Sequence, residues 1–323
     1  MSTGLSAQRG VALLTVLLVV AMMALLVAEL TFGFRHQIRT VSSGQNMDQA
    51  RWYARSAEEL AIQVLEQTFE DDDKVIHAGQ AWARSGMIFP VEQGQIAGEI
   101  TDARSCFNIN ALAVDDMTKE QATYPLEVFI SLMEVLEVDT FRAQRIARAS
   151  RDWVYSGQKD VQYGDSTYLA RPMPYLAGRA PMRDISEWRA VDGVNAEIAR
   201  TIMPYLCALP EDDLLLNVNT LTKEKPALLA AAFIGQLSLE QAEDILARRP
   251  SDGWETVSEF LLEARPSEEI NGAVSLILTT ESKYFQVKAR VRYLDAEAGL
   301  VSLLQRKDKE SLQVISRKYG AAF

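Results

Sequence analysis

Gln8-Arg9-Gly10-Val11-Ala12-Leu13-Leu14-Thr15-Val16-Leu17-Leu18-Val19-Val20 opens an apolar run in which no charge follows Arg9 until Glu29. From Val11 to Ala28 the single polar side chain is Thr15. A helix over those residues rises about 27 Å at 1.5 Å per residue, close to the apolar thickness of a bilayer. Residues 11–29, with Leu13, Leu14, Leu17 and Leu18 on their surface, therefore read as a membrane anchor.

The small residue lies on the unusual side of this run. A secretory signal places its small-residue cleavage site after the apolar core. Here Gly10 precedes the core, directly behind Arg9, so cutting between Gly10 and Val11 would leave the anchor on the mature chain. This arrangement resembles the class III signal of type IV prepilins and type II secretion pseudopilins, in which prepilin peptidase cleaves after such a glycine and methylation follows. Residues 1–10 are then a leader. Most members carry a glutamate at the fifth mature position, where it pairs with a neighbouring subunit's amino terminus. The fifth residue after the cut is Thr15. An unpaired carboxylate inside the membrane is costly, and a tip subunit has no neighbour above it to supply the amine. Within the family, loss of that acid is typical of minor pseudopilin K.

The chain has 323 residues, 48% of them apolar, enough for real cores beyond an anchor. Its net charge of −11 argues against a nucleic-acid partner, which needs clustered cations. Cys106 and Cys207 do not make a disulfide framework. One bridge and two buried thiols are both open readings. Arg35 and Arg39 follow the anchor, so a positive-inside count does not place the amino terminus inside. Orientation rests on the leader resemblance, which implies a single-pass inner-membrane protein whose globular part is periplasmic.

Beyond the anchor the helical pattern continues. Trp52, Tyr53, Ala57, Leu60, Ala61, Val64 and Leu65 recur at helical spacing, and no proline occurs from Val11 to Phe69. One long helix is expected, half in the membrane and half on a globular domain. Glu70-Asp71-Asp72-Asp73 lacks the spacing and turn glycine of an EF-hand loop and reads as a solvated helix end. Ile96 and Ile100 alternate through Gly94–Asp102, which reads as a strand. The following Phe107-Asn108-Ile109-Asn110-Ala111-Leu112 is similar to the Phe-Asn-Leu-Asn-x-Leu stretch of the K pseudopilin family.

Residues 113–278 then read as helices. Leu126–Leu136 and Phe141–Tyr155 have helix-packing spacing, with Asp139 or Thr140 as cap. Asp184–Trp188, a turn with Gly193, and Ala196–Leu206 resemble a helix-hairpin-helix or SAM-like unit. Leu239–Leu262, turning at Pro250-Ser251-Asp252-Gly253, resembles a second. Such units often grip DNA phosphates, but residues 113–278 carry 16 Lys and Arg against 27 Asp and Glu, which repels that backbone. Leu216-Asn217-Val218-Asn219-Thr220 echoes the earlier Asn-Ile-Asn. After Ser282 alternation returns in three runs, 284–293, 299–304 and 312–316, separated by Asp295–Ala298 and Lys307–Glu310. The expected fold is α+β: a pilin-like helix packed on an antiparallel sheet (residues 30–112 and 279–323), interrupted by the inserted α-domain (113–278). The K pseudopilin resemblance implies the same architecture.

Catalysis finds little support. His36 and His77 have no serine, cysteine and acid pattern near them, and there is no Walker loop, His-Glu-x-x-His or Gly-x-Ser-x-Gly. The segment Asp152–Tyr168 resembles the family's calcium-binding loop, Asp-Trp-Ile-Asp-x-Asp followed by Gly-Ala-Glu-Asp-x-x-Tyr. Asp152, Trp153, Asp165 and Tyr168 are kept; Tyr155, Gly157 and Gly164 replace three acids, and Asp160 is a candidate substitute. Calcium takes six to eight oxygens, so the expectation is an empty or weak site and no other cofactor. Pro172-Met173-Pro174-Tyr175 and Pro181-Met182 continue the likeness and fix an extended loop.

The resemblance as a whole implies a non-enzymatic tip subunit of a secretion pseudopilus. Its implied partners are the I- and J-type minor pseudopilins, the major pseudopilin, prepilin peptidase, and the secretin or exported proteins. A minor pilin of a type IV pilus or DNA-uptake system shares the leader and is the alternative. An anchored periplasmic module with a fortuitous Gly10 is a third reading.

Overall fold

With no proline to break it, the amino-terminal segment forms one helix in the computed structural model, α1, Arg9–Asp71. The structure describes residues 9–71, 74–84, 86–113, 120–157, 161–308 and 311–320. The first eight residues of the expected leader and Asp160 lie outside the described residues. At 1.5 Å per residue, α1 is about 95 Å long. Its first half touches nothing: the span from Val11 is wholly exposed, with mean hydropathy 3.0 in its most apolar window, long and apolar enough to cross a membrane.

The second half of α1 packs on a five-stranded antiparallel sheet. The strands are β1 (Met87–Val91), β2 (Gly94–Asp102), β7 (Tyr284–Tyr293), β8 (Ala296–Arg306) and β9 (Leu312–Tyr319), in spatial order β1-β2-β7-β8-β9. Four shorter strands lie between β2 and β7 in the chain. Alanines 50, 54 and 61, with Leu65 and Phe69, recur at intervals of four or seven residues and are buried against Ile96, Ile100, Val287, Ala289, Val291, Leu300 and Leu304. The alanines let the helix lie close to the sheet, and each large side chain such as Leu65 contributes about 1.5–3 kcal/mol by burial. Phe69 and Trp82 close the far end around Phe285, at ring separations of 5.6 and 5.5 Å.

Three details differ from the sequence reading. β1 is an additional strand, an edge strand containing Pro90, which lacks an N–H to give to a ladder. The turn between β7 and β8 is tighter than read: Ala296–Ala298 belong to β8, and Leu294, at φ 50°, makes the corner. Asp184 does cap a helix, through a capping box with Glu187, but Ile185–Ala190 is 3₁₀ rather than α.

The helical body comprises α2 (Glu120–Val135), α3 (Thr140–Val154), α4 (Asp165–Leu169), α5 (Ala196–Ile202), α6 (Pro226–Ala232), α7 (Leu239–Ala247), α8 (Val257–Ala264) and α9 (Glu268–Ile277). Asp139 caps α3, its Oδ1 accepting from the Arg142 amide. Both glycine turns, at Gly193 and Gly253, have left-handed φ, 86° and 76°. A Cβ on Gly253 would come within 2.7 Å of the Asn219 side chain. The core of this body is built on Phe107, Phe129, Trp188, Phe233 and Phe260 and is separate from the two small cores under α1.

The two Asn-x-Asn segments join these bodies. Phe107–Asn108 (β3) pairs in parallel with Leu206–Cys207 (β4), and Leu216–Asn217 (β5) with Leu278–Thr279 (β6). The Asn110 amide donates to the Met182 and Leu209 carbonyls; Asn219 exchanges two bonds with the Trp254 backbone. Asn217 donates to the Ile76 carbonyl and to Asp102 Oδ2, and Ile76 N–H donates to the Thr280 carbonyl. The helical body is thereby fastened to residues 76–78, immediately beyond the end of α1 that lies opposite the apolar span. Cys106 and Cys207, left open in sequence, are disulfide-bonded beside the β3–β4 pair.

Candidate assembly surface

Gly10 and Val11 lie at the very start of α1, in helix continuous with the apolar span. Leu13, Leu14, Leu17 and Leu18 are each more than half exposed, so the anchor presents its apolar side chains on all sides. A helix apolar all round is one that neighbours or lipid must cover. Thr15 spends its hydroxyl within the helix, donating to the Ala12 carbonyl at 2.9 Å. Thr31 and Thr40 do the same one turn back, to Val27 and His36. The span thus offers no unsatisfied polar side chain at Thr15.

Lower on α1, Tyr53, Ala57, Leu60 and Val64 form one wall of an apolar groove of about 350 Å³ whose other wall is Phe89 of β1 with Ile96 of β2. Leu60 and Phe89 are partly exposed there, at 44% and 39%. Tyr53 and Leu60 were legible as helix positions, but the groove itself was not, because β1 was not read.

A buried carboxylate sets how α1 sits on the sheet. Glu58, 1% exposed, receives Nε and Nη2 of Arg317 on β9, the Ser302 hydroxyl on β8, and an ion contact from Arg55. In sequence Glu58 looks like one more polar residue between apolar ones.

The calcium-loop residues are placed as follows. Asp152 is buried at the end of α3, with Oδ1 accepting from Arg151 Nη1 and Oδ2 from the amides of Gln162 and Tyr163. Asp165 opens α4, its Oδ1 without a hydrogen bond but 3.4 Å from Arg179 Nε. Tyr155 folds back over Gly157, where a Cβ would lie 2.1 Å from the tyrosine oxygen. Among the described residues no group of three acids, histidines or cysteines is placed to hold a metal. Asp152 and Asp165 fall short of the six to eight oxygens calcium takes, so the described residues do not fit that ion. His36 lies on the exposed helix, and His77 Nδ1 accepts from the Gly79 amide.

Known proteins agree with this arrangement along nearly the whole chain. Two models described as type II secretion system protein K match residues 105–211 and 216–277. A type II secretion system protein K from Pectobacterium carotovorum subsp. carotovorum is 36% identical over 320 residues, covering 98% of this chain and 97% of the relative. The chain belongs to the type II secretion system protein K family. Another relative of that name, from Aeromonas hydrophila, is 35% identical over 98% of both chains. Among solved structures, one titled as the GspK-GspI-GspJ complex from the enterotoxigenic Escherichia coli type 2 secretion system matches with TM-score 0.79 and 33% identity. That match covers 87% of this chain and 99% of the other. As a member of the protein K family the chain is a minor pseudopilin, a structural component of a secretion system, with an apolar helix fit for single-pass anchoring. The matched models begin at Ser105 and so cover the helical body, while the full-length relatives carry the likeness through α1 and the sheet.

Proposed function

We propose that this protein K caps the tip of a type II secretion pseudopilus and serves export across the outer membrane. In this reading prepilin peptidase cleaves between Gly10 and Val11, α1 passes from the inner membrane into the helical bundle of the pseudopilus, and the globular part lies in the periplasm. The observation that carries the reading is the position of the helical body. It is fastened through Ile76 and Ala78 beyond the membrane-distal end of α1, where a further subunit would have to stack. Thr15 supports it, since a tip subunit has no neighbour above to pair an acid at that depth. The likeness to the chain from a complex with GspI and GspJ supports I- and J-type minor pseudopilins as partners. The major pseudopilin follows below them, and the secretin or exported proteins face the helical body.

Photo-crosslinking tests the orientation. A photoreactive residue at Leu60, in the groove, should capture another pseudopilin in membranes with an active secretion system. Probes at Phe141 and Leu262, both about three-quarters exposed on the helical body, should capture none. Capture of the major pseudopilin from Phe141 or Leu262 contradicts a tip position.

A further inference from the structure

We infer that the loop between α3 and the Asp184 cap is closed by the chain's own guanidinium groups, so that this subunit folds without calcium. Asp152 at the end of α3, Asp165 within the loop and Asp192 beyond the cap each face arginine. Arg151 and Asp152 are 2% and 3% exposed and lie 3.0 Å apart. Arg151 also stacks over the Tyr155 ring, 4.0 Å from its centroid, and Tyr155 is the side chain that stands where the resembled loop has an acid. Tyr155 in turn occupies the space above Gly157, a second lost acid. A stacked, weakly hydrated guanidinium tolerates this burial far better than an ammonium would.

The remaining contacts repeat the pattern. Asp165 meets Arg179, whose Nη2 lies 3.3 Å from where a Cβ on Gly164, the third lost acid, would stand. Asp192, just beyond the 3₁₀ turn that Asp184 caps, accepts from Arg145 Nη2 at 2.7 Å and from Arg171 of the loop, Nη2, at 2.8 Å. Arg171 lies 5.1 and 5.3 Å from the Tyr168 and Tyr175 rings, packing the loop's aromatic residues around it. The freed oxygen of Asp152 ties down the Gln162 and Tyr163 amides, a task that needs a carboxylate but no metal. The three non-acidic positions and the buried arginine stack therefore belong together: an internal fixed cation stands where the resembled loop takes a diffusible one. The consequence is a tip subunit whose helical body is ordered at any calcium concentration.

The test uses the full chain in detergent micelles, melted by near-ultraviolet circular dichroism with Trp153 beside the loop as reporter. Millimolar calcium and a chelator should give the same Tm within about 1 °C, whereas a site filled at hundredfold excess over its Kd raises Tm by about 5–10 °C. A chelator-reversible rise of that size overturns the inference. Arg151→Gln leaves Asp152 buried without its partner and should lower Tm by roughly 5 °C or more; a wild-type Tm overturns the role of Arg151. If that variant does not accumulate, Arg151→Lys keeps the charge and loses the fork and the stack. Its Tm should fall below wild type and still ignore calcium, and a wild-type Tm or a calcium response contradicts the inference.

Discussion

Arg317 on the last strand grips Glu58 on the long helix with two nitrogens, Nε and Nη2, each 2.9 Å from a carboxylate oxygen, across 259 positions of sequence. The acid is 1% exposed and the arginine about one-third exposed. A buried carboxylate needs such a partner, and a planar fork meets it better than a lysine would. The pair fixes both the rotation of α1 and the docking of β9, the edge strand that follows the loop after β8.

Arg317→Met should therefore destabilise the protein by about 2–3 kcal/mol. That is below the full cost of stranding a buried charge, because the Ser302 hydroxyl and Arg55 stay beside Glu58. Denaturant melts check this, and hydrogen exchange should show the largest loss of protection in β9. A loss below about 0.5 kcal/mol would show that the pair is dispensable.

The disulfide gives a second expectation. Cys106 and Cys207 are 101 positions apart, and a cross-link closing a loop of that length stabilises by up to about 4–5 kcal/mol, measured values often being smaller. Cys106→Ser with Cys207→Ser should lower stability by about 2–4 kcal/mol. Reductant should lower the wild-type Tm toward that of the double variant and leave the variant unchanged. Equal melting of wild type and variant without reductant would refute the contribution.

Asp192 predicts an acid limb. Burial alone would raise its carboxyl, but hydrogen bonds from Arg171 and Arg145 outweigh that and hold it below the usual carboxylate range. A depressed folded value means the stabilisation is complete above the unfolded carboxyl's pKa, about 3.9, and is lost as pH falls through the folded value. Asp192→Asn should cost about 1–2 kcal/mol near neutrality, a figure discounted because Arg145 is half exposed. The variant's stability should also fall less steeply than wild type below pH 4 or so. Parallel acid limbs would show that Asp192 does not carry the effect.

What the sequence disclosed follows from which interactions are local. α1 was readable because a proline-free run with helical spacing is a property of neighbours along the chain, and Asp139 announced α3 through a cap three residues long. Ile96 and Ile100 marked β2 by alternation, as Val287, Ala289 and Val291 marked β7. β1 was hidden because Met87-Ile88-Phe89-Pro90-Val91 does not alternate: an edge strand packs loosely, and Ile88 and Phe89 remain partly exposed. The Asp295 turn was read too long since the corner falls on Leu294, a residue type that seldom takes positive φ. Glu58, Asp102 and the Asn217–Asp102 bond were beyond reach because their partners come from far along the chain. Asp102 alone collects Asn217, Thr220 and Ser282 from two later segments. Gly10 ahead of the apolar run is a local pattern, whereas the apolar groove beside Leu60 was not legible, since half of it is β1.

The central claim is that this chain enters a pseudopilus as a processed, pilin-type subunit, and entry begins at Gly10–Val11. Mass spectrometry of the mature amino terminus, in membranes with and without active prepilin peptidase, tests it most directly. The account predicts a peptidase-dependent start at Val11, methylated. An intact start at Met1 in both membranes would contradict it.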